Sequence, residues 1–332
     1  MIYLSQVNMR YLITGVSGFV GGHFLEHIFA RHPGSDVVGV DTERAKFDFL
    51  NDLSKKKINF HRGSLLNKKL ISGLIKKFKP DYIINLASYS SVAYSWKRPA
   101  ECFINNTGIF LNLVESARKS KIKTKILSVG SSEEYGIVSK KNIPITEKSR
   151  LNPANPYAAA RAAQERISRI YADGFKVPII CTRSFNHIGP RQKDIFAISS
   201  FAKQIIEAKS GKRKEITCGN LKIVRDFMDV RDVVRAYDLL LRKGGIGQVY
   251  NVCSGRGYEL SEILGMLQKK AGTNLPVTAG PGLTRLVDSP VIIGSPEKLE
   301  RETGFRREYT LSNSLKDVLN YWDGKQKKGG IT

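Results

Sequence analysis

Tyr157 and Arg161 are the residue pair whose types and spacing could do chemistry. Pro156 suits the first turn of a helix, and strong helix formers follow it, so residues four apart share one helix face. A tyrosine is a poor acid or base near neutral pH, but a fixed cation one turn away favours its phenolate. A hydroxyl from another segment, such as Ser131, could hydrogen-bond the same substrate oxygen. Together these residues predict proton transfer at that oxygen.

A glycine-rich turn near the start of the chain predicts a phosphate site. The apolar segment 10–14 runs into Gly15, Gly18 and Gly21, and an amphipathic stretch follows. Strand, glycine turn and helix in this order are typical of a dinucleotide-binding half, with the pyrophosphate at the helix N-terminus. Asp41 ends the next apolar segment, where a carboxylate can accept both hydroxyls of an adenosine ribose.

Alternating apolar and amphipathic segments continue along the chain. Strands are predicted at 10–14, 36–41, 58–63, 81–88, 123–131, 177–184 and 248–255. Helices are predicted at 23–32, 67–78, 98–119, 156–173, 195–209, 259–271, 296–303 and 310–322. This order predicts an α/β fold, a doubly wound parallel (Rossmann) sheet with ligands bound beyond the carboxyl ends of its strands. We expect a dinucleotide-binding domain at 9–184 plus 218–255, and a smaller, mostly helical substrate-binding lobe at 185–217 plus 256–325.

Composition narrows the function classes. The chain has 332 residues, 41% of them hydrophobic, so it can bury a large core. Four scattered cysteines lack metal-type spacing and read as reduced thiols, which predicts a cytoplasmic protein without a bound metal or a membrane span. The net charge of +24 is spread over many segments without aromatic interleaving, so no specific nucleic-acid partner is expected.

Seven motifs carry a family resemblance that covers residues 9–323. They are GVSGFVG, NLASYSSVAYSW, VGSSEEYG, NPYAAAR, TRSFNHIGPRQKD, GNLKIVRDFMDVRDVVRAY and VYNVCSG. The chain resembles the extended short-chain dehydrogenases/reductases (the NAD-dependent epimerase/dehydratase family), and within them the GDP-4-keto-6-deoxy-D-mannose reductases. FNHIGPRQ and GNLKIVRDF are the more specific motifs, and they are also similar, more distantly, to GDP-mannose 4,6-dehydratases.

The resemblance implies a set of site residues in three groups. Catalytic roles fall on Ser131, Glu133, Tyr157 and Arg161. Contacts to the cofactor fall on Gly15, Ser17, Gly18, Phe19, Val20, Gly21, Asp41, Leu86, Ala87, Ser88 and Asn105, together with Tyr157 and Arg161. Contacts to a GDP-sugar fall on Ser90, Ser91, Ser132, Asn186, Lys203, Gly219, Arg225, Arg285 and Asp288.

Three positions depart from the family pattern. Arg161 stands where the family has lysine, and a guanidinium keeps its charge but cannot relay a proton by deprotonating. Ser64 stands where relatives often place an aspartate near the adenine. Asp41 favours NAD(H) because a carboxylate repels a 2′-phosphate, whereas Arg44 nearby leaves NADP(H) possible.

Three functions stay open at this point. The first is reduction of the C4 keto group of a GDP-4-keto-6-deoxyhexose. The second is a dehydratase or epimerase with retained NAD, because Glu133 lies two residues after Ser131, where dehydratases keep their base. The third is a dinucleotide-binding regulatory protein whose chemistry was lost with the lysine.

The resemblance also implies a homodimer (possibly a tetramer) formed through the two long helices at 98–119 and 156–173. Apolar residues recur on them at helical spacing, which would provide the contact surface. These residues are Phe110, Leu113, Ile167 and Ile170.

Overall fold

The computed structural model describes residues 8–43, 47–280 and 287–329. The strands are β1 (Arg10–Thr14), β2 (Asp36–Asp41), β3 (Ile58–Arg62), β4 (Tyr82–Asn85), β5 (Lys125–Ser131), β6 (Ile179–Ser184), β7 (Asn186–Ile188), β8 (Ile216–Cys218), β9 (Val224–Asp229), β10 (Val249–Val252), β11 (Gly257–Glu259), β12 (Val277–Ala279) and β13 (Val291–Ile292). The helices are α1 (Phe19–Arg31), α2 (Asp52–Lys56), α3 (Lys68–Phe78), α4 (Val92–Lys97), α5 (Pro99–Ser120), α6 (Pro156–Phe175), α7 (Ala197–Lys209), α8 (Val230–Lys243), α9 (Leu260–Ala271), α10 (Glu297–Thr303) and α11 (Leu311–Lys327).

A parallel sheet of seven strands forms the larger part of the molecule, in the order β10-β6-β5-β4-β1-β2-β3. Helices α1 and α8 cover one face, and α3, α5 and α6 cover the other. The predicted doubly wound α/β fold is therefore confirmed. Strand β1 pairs with β2 on one side and with β4 on the other, so the strand order reverses there. Such a switch point opens a crevice beyond the carboxyl ends of the strands.

Helix α6 begins where the sequence predicts. The side chain of Asn155 caps it by accepting a hydrogen bond from Ala158 N at 2.8 Å, and Pro156 takes the first helical position. Helix α8 begins after Asp229, whose side chain caps it by accepting a hydrogen bond from Arg231 N. Because each cap is a short-range contact, the start of each of these two helices can be located from sequence alone.

A smaller layer contains short strands in addition to the predicted helices. Strands β11, β9 and β13 form one small sheet, β7 pairs with β9, and β12 pairs with β8. Helices α7, α9 and α11 pack around a separate apolar core. The domain division stays a prediction, although β9, which lies inside 218–255, pairs with this small sheet and not with the large one.

Two of the residues expected at a dimer contact are core residues instead. Phe110 and Leu113 are 0% and 1% exposed and pack between α5 and the sheet, so the prediction is wrong for them. Ile167 is partly buried against the same core, and Ile170 is exposed. Helical spacing on α5 therefore reflects packing within one chain.

Across the described ranges, no helix is long and apolar enough to cross a membrane. Within the same ranges, no group of three or more His, Cys, Asp or Glu side chains lies close enough together to hold a metal ion. The four cysteines are buried free thiols.

Candidate active site

The glycine turn after β1 has the geometry that its sequence predicts. Gly15 adopts φ +69°, and a Cβ on it would lie 2.8 Å from Ala87 N. A Cβ on Gly21 would lie 2.6 Å from Gly15 O, so α1 could not pack this close to the turn with a larger residue. Gly18 caps α1 without a side-chain hydrogen bond, and no acidic residue occupies the first turn, where Phe19 and Val20 lie. The N–H groups there suit an anion.

Asp41 ends β2 beside this turn. Its carboxylate accepts hydrogen bonds from Ser17 N at 2.9 Å and from Thr42 N at 2.8 Å. Asp41 thereby links the glycine turn to the loop after β2, and its side chain is half-buried. Arg44 lies outside the described residues.

Thr14 and Asn85, which the sequence analysis did not select, hold the segment that faces the glycine turn. Thr14 Oγ1 donates to Asn85 Oδ1 at 2.9 Å and accepts from the backbone N–H groups of Leu86 and Ala87. Both residues are buried at the ends of β1 and β4. Their only sequence signal was a polar residue closing an apolar strand.

The segment after β4 continues with Ser88, Ser90 and Ser91, and it is fixed from α5. Asn106, buried on α5, accepts from Tyr89 N at 2.9 Å and donates to Tyr89 O at 3.1 Å. Asn105, the neighbouring residue that was predicted to contact the cofactor, donates to Asn106 Oδ1. Ser91 caps α4, and Ser90 is exposed.

Ser131 ends β5 and begins a short 3₁₀ turn that contains Ser132 and both glutamates. Its hydroxyl accepts from Glu133 N at 3.2 Å, and Ser131 N donates to Glu134 Oε1 at 2.7 Å. Asn155 Nδ2 donates to Glu133 Oε2 at 2.9 Å, which fixes the start of α6 beside this turn. The structure therefore brings Ser131 and Glu133 together with the start of the helix that carries Tyr157.

Glu134 is a fully buried carboxyl that the sequence analysis did not single out. Its Oε1 accepts from Ser131 N, whereas Oε2 has no hydrogen-bond partner among the described residues. Burial raises the pKa of Glu134 above its ordinary 4.5, and repulsion from Glu165 raises it further. A protonated carboxyl beside Ser131 avoids the cost of a buried charge.

Glu134→Gln is expected to flatten the pH dependence of stability. Because the folded-state pKa exceeds the unfolded value, the stabilisation by the protonated carboxyl is complete below the unfolded value of 4.5. It is lost as the pH rises through the folded-state pKa, by at most about 1.4 kcal/mol per pH unit. The neutral amide carries no such contribution, so urea denaturation across the neutral range should give the variant a shallower slope. Glu133→Gln, its half-buried neighbour, is the control, and equal slopes for Glu134→Gln and the parent would contradict the assignment.

Tyr157 and Arg161 meet as the helix spacing predicts. Arg161 Nε donates to the Tyr157 hydroxyl at 3.3 Å, and its guanidinium carbon lies 5.3 Å from the centre of the phenol ring. Both side chains are buried. A purely structural alternative would pair Arg161 with Glu165 one turn on, but Glu165 binds Arg183 of β6 through two 2.7 Å hydrogen bonds.

The residues predicted to bind the GDP-sugar lie mainly in the smaller layer. Arg225 is buried on β9 and its guanidinium donates to Asp288, so the structure brings these two together. Lys203 of α7 donates to Asp194, which precedes that helix, at 2.8 Å. Asn186 is half-buried at the start of β7, and Gly219 directly follows β8. Arg285 lies outside the described residues.

Asp226, next to Arg225, is a further residue that the sequence analysis passed over. It is fully buried and accepts from the backbone N–H groups of Ser254 and Gly255 at 2.8 and 2.9 Å. It therefore fixes β9 against the segment that leaves the large sheet after β10.

Comparison with known proteins gives one family and several full-length relatives. The family model described as GDP-mannose 4,6 dehydratase matches residues 12–318. The chain is 31% identical over 325 residues to GDP-6-deoxy-D-mannose reductase of Pseudomonas aeruginosa, covering 97% of this chain and 100% of that protein. It is 26% identical to UDP-glucose 4-epimerase of Lacticaseibacillus casei, covering 97% and 98%.

Solved structures agree with this fold. The structure of RMD from Pseudomonas aeruginosa complexed with NADPH superposes with a TM-score of 0.84 at 31% identity, covering 96% of this chain and 100% of that one. UDP-glucose 4-epimerase from Thermotoga maritima with UDP-glucose gives a TM-score of 0.86 at 26% identity, with the same coverage of 96% and 100%.

Proposed function

Because the chain belongs to the GDP-mannose 4,6 dehydratase family of extended short-chain dehydrogenases/reductases, we propose that it is an NAD(P)H-dependent reductase. Its substrate is a GDP-4-keto-6-deoxyhexose, and the C4 keto group becomes a hydroxyl. The observation that carries the proposal is the 31% identity to GDP-6-deoxy-D-mannose reductase, which extends over 97% of the chain. Ser131 and Tyr157 supply the chemistry that such a reduction needs.

Each site residue has a separate task in the reduction. A nicotinamide cofactor held in this crevice would supply the hydride that the carbonyl carbon needs. The Tyr157 hydroxyl gives a proton to the carbonyl oxygen, and the Ser131 hydroxyl donates a hydrogen bond to the same oxygen. Arg161 keeps a fixed positive charge 3.3 Å from the Tyr157 hydroxyl, where it stabilises the phenolate left by proton transfer.

The residues present fit a dinucleotide. The first turn of α1, which has no side-chain cap, would hold the pyrophosphate, and the carboxylate of Asp41 would accept the adenosine ribose hydroxyls. Among the described residues, four hydrogen bonds use four of the five N–H donors of Arg161, which leaves one N–H for the nicotinamide ribose. Asp41 favours NAD(H), and NADP(H) remains the second cofactor of the proposal.

Asp41→Ala is expected to weaken NADH binding and to improve NADPH relative to it. The substitution removes a ribose acceptor and the repulsion of a 2′-phosphate. The measurement is the ratio of the two dissociation constants. Glu43→Ala removes a carboxylate two residues on and serves as the control for charge alone. An unchanged ratio in Asp41→Ala would mean that Asp41 does not face the ribose.

Recognition of the GDP moiety is proposed at the smaller layer. Arg225 and Arg285 suit a diphosphate because guanidinium groups bind phosphate oxygens in pairs, and Lys203 adds a point charge. Asp288 holds the Arg225 guanidinium and would orient it.

A dehydratase or epimerase remains the second candidate, and Glu133 is the observation that favours it. Asn155 holds its carboxylate beside the turn that Ser131 begins, which suits a base near the sugar. Mass spectrometry of products decides between reduction and dehydration, because only these two reactions change the mass of the sugar nucleotide. Reduction predicts that GDP-4-keto-6-deoxymannose gains two hydrogens with NADH or NADPH and that GDP-mannose stays unchanged. Loss of water from GDP-mannose would identify a dehydratase instead.

We also propose a cytoplasmic homodimer. The four buried free thiols suit a reducing compartment. Ile104 and Leu111 lie seven residues apart on one side of α5, and Ile170 lies on α6, all of them exposed. They replace Phe110 and Leu113 as the proposed contact surface.

A further inference from the structure

The guanidinium of Arg161 is held from inside the protein. Its Nη1 donates to Val129 O on β5 at 2.9 Å and to Gln164 Oε1 at 2.8 Å, and Nη2 donates to Ser88 Oγ. Arg161 is 4% exposed, so these partners, and not water, fix the plane of its fork. A planar group with several fixed acceptors has a single orientation.

Gln164 uses both the nitrogen and the oxygen of its side-chain amide to hold this arrangement. Its Nε2 donates to Ser128 Oγ at 2.9 Å and to Val129 O at 3.1 Å, and the side chain is 1% exposed. Because both amide N–H groups face acceptors of β5, the amide oxygen has to face Arg161. The reverse orientation would place N–H groups against the guanidinium.

We propose that Gln164 is a positioning residue, which holds the Arg161 guanidinium so that Nε faces the Tyr157 hydroxyl and Nη2 faces Ser88. The inference rests on the proposed reduction, in which the Tyr157 hydroxyl donates the proton. Arginine needs such a partner because its fork extends beyond the point that a lysine ammonium reaches. Gln164 thus supports the arginine that stands at position 161 in place of the family's lysine.

In a purely structural alternative, Gln164 only forms hydrogen bonds with buried polar atoms of β5. The positioning role and the structural role differ in whether the effect of substituting Gln164 depends on residue 161. A positioning role requires the guanidinium, whereas the hydrogen bonds to Ser128 and Val129 remain whatever occupies position 161.

A double-mutant cycle separates the two. Gln164→Met keeps the length of the side chain and should lower kcat by roughly 10- to 100-fold, the range expected for a misplaced catalytic group, with KM for the sugar nearly unchanged. In an Arg161→Lys background, Gln164→Met should change kcat little, because the ammonium does not reach position 164. Gln164→Glu keeps an acceptor towards Arg161 and should retain more activity than Gln164→Met.

Ser168→Ala is the matched control. Ser168 lies one turn further along α6 and donates to the same Ser128 Oγ at 3.0 Å, whereas the hydrogen bonds of Arg161 to described residues do not include it. It should leave kcat close to that of the parent. Equal effects of Gln164→Met in both backgrounds, or an equal loss in Ser168→Ala, would overturn the proposal.

The same double-mutant cycle is also measured through the dissociation constant of NADH or NADPH, a measurement that needs no sugar substrate. Arg161 is proposed to bind the nicotinamide ribose, so Gln164→Met should weaken cofactor binding in the parent and not in Arg161→Lys. If the parent does not reduce the sugar, the proposed function fails, while the coupling in cofactor affinity still decides the role of Gln164.

Discussion

Tyr157→Phe is expected to lower turnover of GDP-4-keto-6-deoxymannose by about 10²–10⁴-fold, the range of general acid catalysis, with substrate binding nearly intact. The hydroxyl contacts Arg161 Nε, and the ring packs against Val92, Trp96 and Cys102. Phenylalanine keeps that packing and removes only the proton donor. The measurement is kcat and KM from the loss of NADH or NADPH absorbance.

Tyr171→Phe provides the matched control on the same helix. Its hydroxyl donates to Glu115 Oε1 at 2.7 Å, so this variant also loses one phenolic hydroxyl, here from a hydrogen bond between α6 and α5. We expect turnover close to that of the parent. Comparable turnover by Tyr157→Phe and Tyr171→Phe would refute the role given to Tyr157.

The dinucleotide-binding half could be predicted from sequence because its determinants are local. Gly15 needs a positive φ, and Asn155 and Asp229 cap the helices that directly follow them. Each of these signals depends on neighbours within a few residues. The strand and helix positions of the large sheet follow from the same short-range periodicity.

Residues whose role depends on burial could not be found in this way. Gln164 and Glu134 are polar residues within a helix and a turn, and only the fold shows that both are buried behind β5. Glu165 has a neighbour at helical spacing in Arg161, yet it binds Arg183, a partner eighteen positions away in the sequence. Phe110 and Leu113 show the same limit for apolar residues, since helical spacing does not distinguish a core position from a dimer contact.

Arg161 connects these long-range contacts to the proposed proton donor. Its side chain donates hydrogen bonds to β5, to the segment after β4 and to Tyr157. Two substitutions separate its charge from its shape. Lysine keeps the positive charge beside the phenol, whereas methionine keeps only the uncharged, unbranched stem of the side chain. The role of a fixed cation therefore predicts different results for the two.

Arg161→Met is expected to lower turnover by about 10²–10³-fold, as when one preorganised electrostatic donor is removed. It also leaves Gln164 Oε1 without its donor, at a cost of about 1–3 kcal/mol in the free energy of unfolding. Arg161→Lys should keep most of the turnover, because the charge near Tyr157 remains. Urea denaturation measured beside kcat separates lost folding from lost chemistry, and Arg166→Met, an exposed arginine on the same helix, is the control. A methionine variant as active as the lysine variant would show that the charge at position 161 does not assist Tyr157.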